Sequence, residues 1–595
     1  MKKFVASIRN IFESYSYFMK LQWRLDPMGI FLVILPRIFS TLNAFVVVIF
    51  PGLILDSLVE DRRERAVSFI VAFALWEFLN ACIEALFTKY SNVHQEIFSA
   101  RLNHMLVEKT TTLRQEQLEH PKVFEQYELA RKCGEENSIS GYLGDTVSIV
   151  FGLAELWGYL YLLREMPLWV LGFLVAVVAI HVAAERRIDK NTMEESELDT
   201  PMERMLGYLN YQLMDPEYGK EIRMFDLKGF LTEKQAHVRE EYYVLFRKYG
   251  KSRVRAVGLT NMAGSILSLV FYASAILRFA MGALTVGAFT VTVNAMFRFS
   301  EGVRNVASLA VGYQMKAERL SHVRTFLDMT STHTGTEEAE GFERGMTIEF
   351  VHVSYRYPGS ENYALEDVSL RIGCGEKISI VGPNGAGKST FIGLMLGLYR
   401  PTSGKILYNG RDIEDLDYDS YKKLFAVLPQ DYQIFGFSIL ENILFREEPS
   451  EAETAAAMES LDKAGLKEVV EKLPRQERTY LTQQFDPEGV ALSGGEAQKL
   501  AIARTLNRDS AIFILDEPTA ALSPRSEHDI YQRFAQVTEG KTVFLISHRL
   551  SGSRLCGRIL VFQAGRLVED GSHEALMQDG LLYAEMYAKQ AEWYT

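Results

Sequence analysis

The chain has 595 residues, with 64 Lys and Arg against 76 Asp and Glu, a formal charge of −12 and four cysteines. A length of that order calls for two or more domains, and the acidic balance argues against a nucleic-acid binder, which would need a basic face. Cys82, Cys133, Cys374 and Cys556 stand alone in the sequence, which argues against a CxxC zinc site and a disulfide scaffold.

Phe4, Ile8, Ile11, Phe12, Tyr15 and Phe18 recur at helical spacing, and the opening "MKKFVASIRNIFESYSYFMKLQWRLDP" lacks a compact apolar core followed by small residues. An interfacial helix leading into a first span is expected, not a cleavable signal peptide. Apolar windows follow at 28–55, 66–87, 142–163, 168–184, 257–279 and 284–311. Each is close to the roughly 20 residues that cross a bilayer as a helix, and six of them in a row argue against a soluble fold. The fourth is short, and Thr290, Thr292, Asn294 and Arg298 interrupt the sixth.

The segments 88–141 and 185–256 are long, polar and rich in Lys and Arg, whereas "LVEDRRER", "REMP" and "MGAL" are short. The positive-inside tendency therefore puts the long loops and both termini in the cytosol. The loops keep a helical pattern: Val93, Ile97 and Leu102 continue the second span. Pro121 in "EQLEHPKVFEQ" and Pro216 in "DPEYGKEIRMFD" are expected to end one helix and permit a short crosswise one. Within the spans, Glu77, Asn80, Glu84 and Glu155 admit two readings. They form an acidic cavity for cationic amphiphiles, or they pair with Arg37, Arg278 or Arg298 on neighbouring helices.

Residues 328–346, "DMTSTHTGTEEAEGFERGM", lose apolar periodicity and read as a linker. It divides a transmembrane domain, 1–327, from a second domain, 347–595, that starts afresh with strands such as "MTIEFVHVSYRYP". There "KISIVGPNGAGKST" places an apolar strand before a P-loop: Gly382, Asn384, Gly385, Ala386, Gly387, Lys388, Ser389 and Thr390. Its glycines let successive N–H groups turn around phosphate oxygens, Lys388 sets a positive charge against the terminal phosphates, and the Ser389 hydroxyl can ligate Mg²⁺. "AIFILDEP" is a continuous apolar strand ending in two carboxylates. Asp516 is placed to hold Mg²⁺ and Glu517 to orient and deprotonate the attacking water. "KTVFLISH" ends at His548, so three strands terminate in candidate phosphate-contacting groups, as α/β sheets place ligands at their carboxyl ends.

The P-loop, "LSGGE", "DEP" and "SH" in that order, after six spans, resemble an ABC transporter of the exporter type. The resemblance covers nearly the whole chain and implies a multidomain membrane protein. An all-α six-helix transmembrane domain would be followed by an α/β P-loop ATPase domain with antiparallel β and helical subdomains. It also implies ATP and Mg²⁺ as cofactors, with Tyr357 stacked on adenine and Gln430 on Mg²⁺ and the attacking water. Glu517 would be the catalytic carboxylate, with His548 and Lys388 on the γ-phosphate, and Ser389, Gln430 and Asp516 as the metal set. Ser493, Gly494, Gly495 and Glu496 would cover ATP held by a second half-transporter, so that each chain carries two half-sites. The short helices near Pro121 and at "GKEIRMF" resemble the coupling helices that press on the ATPase domains.

Two positions depart from the family pattern: Ser523 where Asp is usual, and "FDPEG" where the stretch is usually close to "GERG". They bear on communication between the two sites and leave homodimer and heterodimer equally open. The implied function is ATP-driven export of an amphipathic or hydrophobic solute, whether drug, lipid or peptide, across the cytoplasmic membrane. Its implied partners are the bilayer, that solute and a second half-transporter, and no nucleic acid. An ATP-gated channel or non-transporting regulator of the same architecture is the alternative. Nothing N-terminal resembles a peptidase domain that would process a leader peptide.

Overall fold

The computed structural model describes residues 2–135, 140–164, 166–211, 213, 218–331, 333–517, 532–534, 536–547 and 552–591. The chain folds as two compact units, residues 1–109 with 125–329, and residues 110–124 with 330–595.

The first unit is helical: α1 (Lys2–Leu25), α2 (Pro27–Val59), α3 (Arg63–Thr112), α5 (Pro121–Glu135), α6 (Ser140–Leu162), α7 (Leu168–Asn210), α8 (Gly219–Met224), α9 (Lys228–Ala280) and α10 (Val286–Leu327). The short α4 (Gln115–Glu119) belongs to the second unit. By length and composition α2, α3 and α9 can each cross a membrane, and the remaining three apolar windows lie on α6, α7 and α10. The 50 residues of α3 extend about 75 Å at 1.5 Å per residue, more than twice the hydrocarbon thickness of a bilayer. The predicted continuation of the spans into the long loops is thus a property of single helices.

Two glycines let α2 and α10 cross closely. A Cβ at Gly52 would lie 2.7 Å from the Gly287 carbonyl oxygen, and one at Gly287 would lie 2.3 Å from the Gly52 carbonyl oxygen. Small residues of this kind let membrane helices approach backbone to backbone. Asp56 completes the joint by accepting from the Gly287 N–H at 2.6 Å and the Thr285 hydroxyl at 2.9 Å. Val48, Tyr159, Leu163, Phe271 and Ala275 form the buried centre of the bundle, while Phe78, Trp157 and Leu269 stand exposed, as lipid-facing side chains do. Phe18 of α1 is fully buried, edge-on to Phe98 and Tyr142, so α1 packs into the bundle as well as leading into α2. Of the two readings for the carboxylates, Glu155 follows the pairing one: it lies 3.4 Å from Arg37 and accepts from Thr41 at 2.7 Å. Arg298 pairs with Glu301.

The second unit carries two sheets. A four-stranded antiparallel sheet has the order β2-β1-β4-β5, with β1 (Thr347–Tyr355), β2 (Leu365–Gly373), β4 (Ser403–Tyr408) and β5 (Arg411–Asp412). A six-stranded sheet has the order β10-β9-β3-β8-β7-β6, with β3 (Lys377–Val381), β6 (Phe425–Leu428), β7 (Ile512–Asp516), β8 (Thr542–Ile546), β9 (Arg558–Gln563) and β10 (Arg566–Gly571). In it β9 pairs in parallel with β3, β3 with β8, β8 with β7 and β7 with β6. Their near-continuous apolar sequences are buried on both faces, which is what a covered parallel sheet requires.

Between the strands lie α11 (Lys388–Met395), α12 (Tyr418–Tyr421), α13 (Ile439–Leu444), α14 (Glu451–Lys463), α15 (Lys467–Val470) and α16 (Gly494–Leu506). Ser438 with Glu441 and Ser450 with Glu453 form capping boxes that start α13 and α14. The stretch expected as a linker is packed against this unit. Phe342 lies in its hydrophobic core, and Glu337 forms a bridge with Leu416. Thr, Gly and Glu removed the periodicity because one inserted aromatic and a backbone bridge, with no repeating apolar face, hold it. All four cysteines are free.

Candidate functional site

The loop between β3 and α11 is shaped by backbone crowding. A Cβ at Gly382 would lie 2.2 Å from the Phe562 carbonyl oxygen. At Gly387, whose φ is 101°, it would lie 2.7 Å from the Ala364 carbonyl oxygen. Only glycine meets both demands. Lys388 is buried at the start of α11, its Nζ donating to the carbonyls of Gly382 at 2.9 Å and Pro383 at 3.0 Å. Burial lowers its pKa, while the Asp516 and Glu517 carboxylates pull the other way. Ala386 and Thr390 are buried, whereas Asn384, Gly385 and Ser389 are exposed around the first N–H groups of α11, a setting suited to an anion. Tyr357 is half-buried, its hydroxyl 3.1 Å from that of Thr390.

The strand order brings the second group here. Because β3, β8, β7 and β6 are consecutive neighbours, their carboxyl ends share one edge of the sheet. Asp516 ends β7 opposite Ile546 of β8. Burial, then the Glu517 charge, pushes its carboxyl up to about 6, with Lys388 opposing. Glu517 follows at φ 48°, a left-handed conformation for a residue with a side chain. Such strain concentrates at functional sites. Its N–H donates to Ile546 O at 2.9 Å, and Gln498 of α16 donates to its carbonyl at 3.4 Å. Gln430 is exposed just past β6. His548, Ser523 and Pro216 lie outside the described residues.

Ser493, Gly494, Gly495 and Glu496 form a separate group at the start of α16. The Ser493 N–H and hydroxyl donate to the Glu496 carboxylate at 2.9 and 2.6 Å, which holds that carboxyl below its usual range. This is a capping box written in the sequence as Ser-x-x-Glu. Ser493 and Gly494 face outward, and among the described residues no hydrogen bond links this group to the P-loop.

Several supporting residues carry no motif. Arg504 of α16 donates to Asn442 O at 2.7 Å and Gln433 O at 3.0 Å, under the rings of Phe435 and Phe445. It ties the segment after Gln430 to the helix that Ser493 begins. The divergent "FDPEG" is a turn held by Arg475, which reaches Asp486 at 2.6 Å and Glu488 at 2.9 Å. At Gly489 a Cβ would meet Thr482 O at 2.1 Å.

The short helix expected near Pro121 is α4, and it docks on the second unit. Arg114, just before α4 and 2% exposed, donates to both Glu414 oxygens at 2.9 and 3.0 Å. Its Nη2 lies 3.0 Å from Nδ1 of His333, whose ring stacks on Tyr418. Burial, then Arg114, lowers the His333 pKa from 6.5 to about 4. Docking stability from a depressed histidine is complete above the undocked pKa and is lost as pH falls through the docked one. Amide exchange in 110–124, corrected for intrinsic rate, should therefore accelerate as pH falls from 6.5 to 4, and His333→Phe should remove that acceleration. The short helix expected at "GKEIRMF" is α8, where Met224 and the following Phe225 are exposed.

The family described as ABC transporter matches residues 365–520. The chain is 30% identical over 455 residues to an ATP-dependent lipid A-core flippase of Burkholderia orbicola, covering 75% of this chain and 72% of that protein. It is 26% identical over 539 residues to the subtilin transport ATP-binding protein of Bacillus subtilis, covering 90% and 87%. A bacterial Atm1-family ABC exporter solved with ATP bound has the same fold, with a TM-score of 0.72 at 24% identity over 96% of this chain and 98% of that one. The chain belongs to the ABC transporter family, as an exporter whose membrane helices and nucleotide-binding ATPase domain share one polypeptide and which couples ATP hydrolysis to transport across the membrane.

Proposed function

We propose that this half-transporter pairs with an identical or a homologous chain in the cytoplasmic membrane, with its ATPase domain and both termini in the cytosol. Its cargo is an amphipathic or hydrophobic solute, whether drug, lipid or peptide, a reading supported by relatives named as a lipid A-core flippase and a subtilin transport protein. The observation that carries the reading is the shared carboxyl edge of β3, β8, β7 and β6, where Lys388, Asp516 and Glu517 interact electrostatically. The Gly382–Thr390 loop would hold the phosphates, and Tyr357 the adenine. Ser389, Gln430 and Asp516 offer a hydroxyl, an amide oxygen and a carboxylate, a hard oxygen set that fits Mg²⁺ completed by phosphate oxygens. Bound there, Mg²⁺ would neutralise phosphate charge. The Glu517 carboxylate takes a proton from water as its oxygen attacks the γ-phosphorus and the bond to ADP breaks. His548 would contact the γ-phosphate.

Ser493, Gly494, Gly495 and Glu496 would cap the γ-phosphate held by the partner, which accounts for an exposed helix start with no hydrogen bond to the P-loop among the described residues. Closure of two such domains, passed through α4 and α8, would turn the membrane cavity outward, and hydrolysis would reset it. The assembly is tested with cysteines at positions 384 and 493 on an otherwise cysteine-free chain. A disulfide joining two polypeptides, promoted by ATP, is expected, and one closing within a single polypeptide would contradict the composite site.

A further inference from the structure

Within the second unit, α4 is joined to the first turn of α11 by a block of three tyrosines. Tyr355, fully buried, stacks on Tyr399 with ring centres 5.3 Å apart, and Tyr357 stands edge-on to both, at 5.1 and 5.5 Å. Tyr399 packs the edge of its ring closely against α11: a Cβ at Gly393 would fall 2.5 and 2.6 Å from its Cε2 and Cδ2. At one end the Tyr357 hydroxyl meets Thr390 in the first turn of α11. At the other the Tyr399 hydroxyl donates to Glu119 of α4 at 3.2 Å, and burial together with neighbouring groups, Glu119 among them, raises its pKa. Glu116 of the same short helix accepts from the Arg400 N–H at 3.0 Å, and its own N–H donates to Leu398 O at 3.4 Å. The segment Leu398–Arg400 is thereby gripped along its backbone as well as at its ring.

We infer that Tyr399 is a positioning residue that sets the pose of Tyr357, so that α4 controls the base end of the ATP site. This rests on the reading of Tyr357 as the adenine contact. An edge-on ring has one favourable pose against its neighbours, and each such pair contributes enough to shift an equilibrium several-fold. A displacement of α4 would carry the Tyr399 hydroxyl with Glu119 and tilt the platform under the base. Phosphate binding by the P-loop changes little with that movement, because it rests chiefly on backbone N–H groups and on Lys388, whose Nζ is held by the Gly382 and Pro383 carbonyls. The first-loop helix then tunes affinity for the nucleotide through the base alone.

The test uses the full-length protein in lipid nanodiscs, with two readouts: KM for ATP, and inhibition by inorganic tripolyphosphate, which carries the phosphates and no base. Tyr399→Leu is expected to raise KM for ATP about 3- to 10-fold, with kcat and tripolyphosphate inhibition within about twofold. Tyr399→Phe and Glu119→Ala both remove the hydroxyl bond, the second also freeing Gln115, which donates to Glu119 at 2.9 Å within α4; each is expected to raise KM by the same smaller factor, and the double variant no further. A Tyr399→Leu variant that weakens ATP and tripolyphosphate alike, or neither, overturns the inference. So does additivity of Tyr399→Phe with Glu119→Ala. Tyr357→Leu separates this from the underlying reading: if it leaves KM for ATP unchanged, the adenine contact itself is wrong and both fall. If it raises KM while Tyr399→Leu does not, only the relay falls.

Discussion

Glu517→Gln is expected to lower ATP turnover by about 10²- to 10⁴-fold, with ATP binding kept. Glutamine fills the same space and leaves the backbone bond from residue 517 to Ile546 O in place, so the left-handed turn that aims the side chain survives. The lost property is the capacity to take a proton from water. The substitution also removes a negative charge that, after burial, pushes the Asp516 carboxyl up. Asp516 should ionise more readily, which favours rather than weakens a cation beside it. Single-turnover hydrolysis of bound ATP, measured beside equilibrium ATP binding, checks both halves. Wild-type turnover in the variant would remove Glu517 from the bond-breaking step.

Arg114→Met is expected to destabilise the docking of α4 by about 3–5 kcal/mol, the cost of removing one partner from a buried ion pair. The guanidinium is 2% exposed and engages both oxygens of Glu414, which retains Arg400 at 3.5 Å on its outer side. No group of the P-loop or of the Asp516–Glu517 edge is touched, so hydrolysis should continue while solute moved per ATP falls by about tenfold, as expected when a docking contact of several kcal/mol is lost. Arg114→Met with Glu414→Met should dock better than the single variant, because the largely buried Glu414 carboxylate, left with only the 3.5 Å contact to Arg400, is removed and the charge that stays, Arg400, is exposed. Proteolysis of 110–124 together with the transport-to-hydrolysis ratio reads both effects. Unchanged coupling in Arg114→Met would show that the ion pair is structural only.

What the sequence made legible was local. The P-loop glycines are readable because their demands, a positive φ and a carbonyl within 3 Å, are met within a few residues of chain and admit one residue type. The "AIFILDEP" and "KTVFLISH" strands are readable because burial on both faces forbids polar interruption until the strand ends. The "LSGGE" stretch was legible as a signature, while its Ser-x-x-Glu capping box emerged with the structure. Strand order was not legible, since the parallel neighbours β3 and β8 pair residues 166 apart, as Lys377 opposite Val543 shows. Arg114 and Glu414, separated by 300 residues, carry no spacing signal, and neither do Arg504 and Arg475. Tyr399 sits in "GLYRPTSG" with nothing to mark it apart from a core aromatic. The carboxylate Glu155 had two readings because composition gives no partner; only helix packing brings Arg37 and Thr41 to it.

The most direct measurement is solute accumulation in inside-out membrane vesicles, with the cargo taken from what co-purifies with the protein from native membranes. ATP-dependent accumulation against a gradient that is absent from Glu517→Gln vesicles is the predicted result. A conductance opened by ATP with no accumulation would contradict export and identify a gated channel of the same architecture.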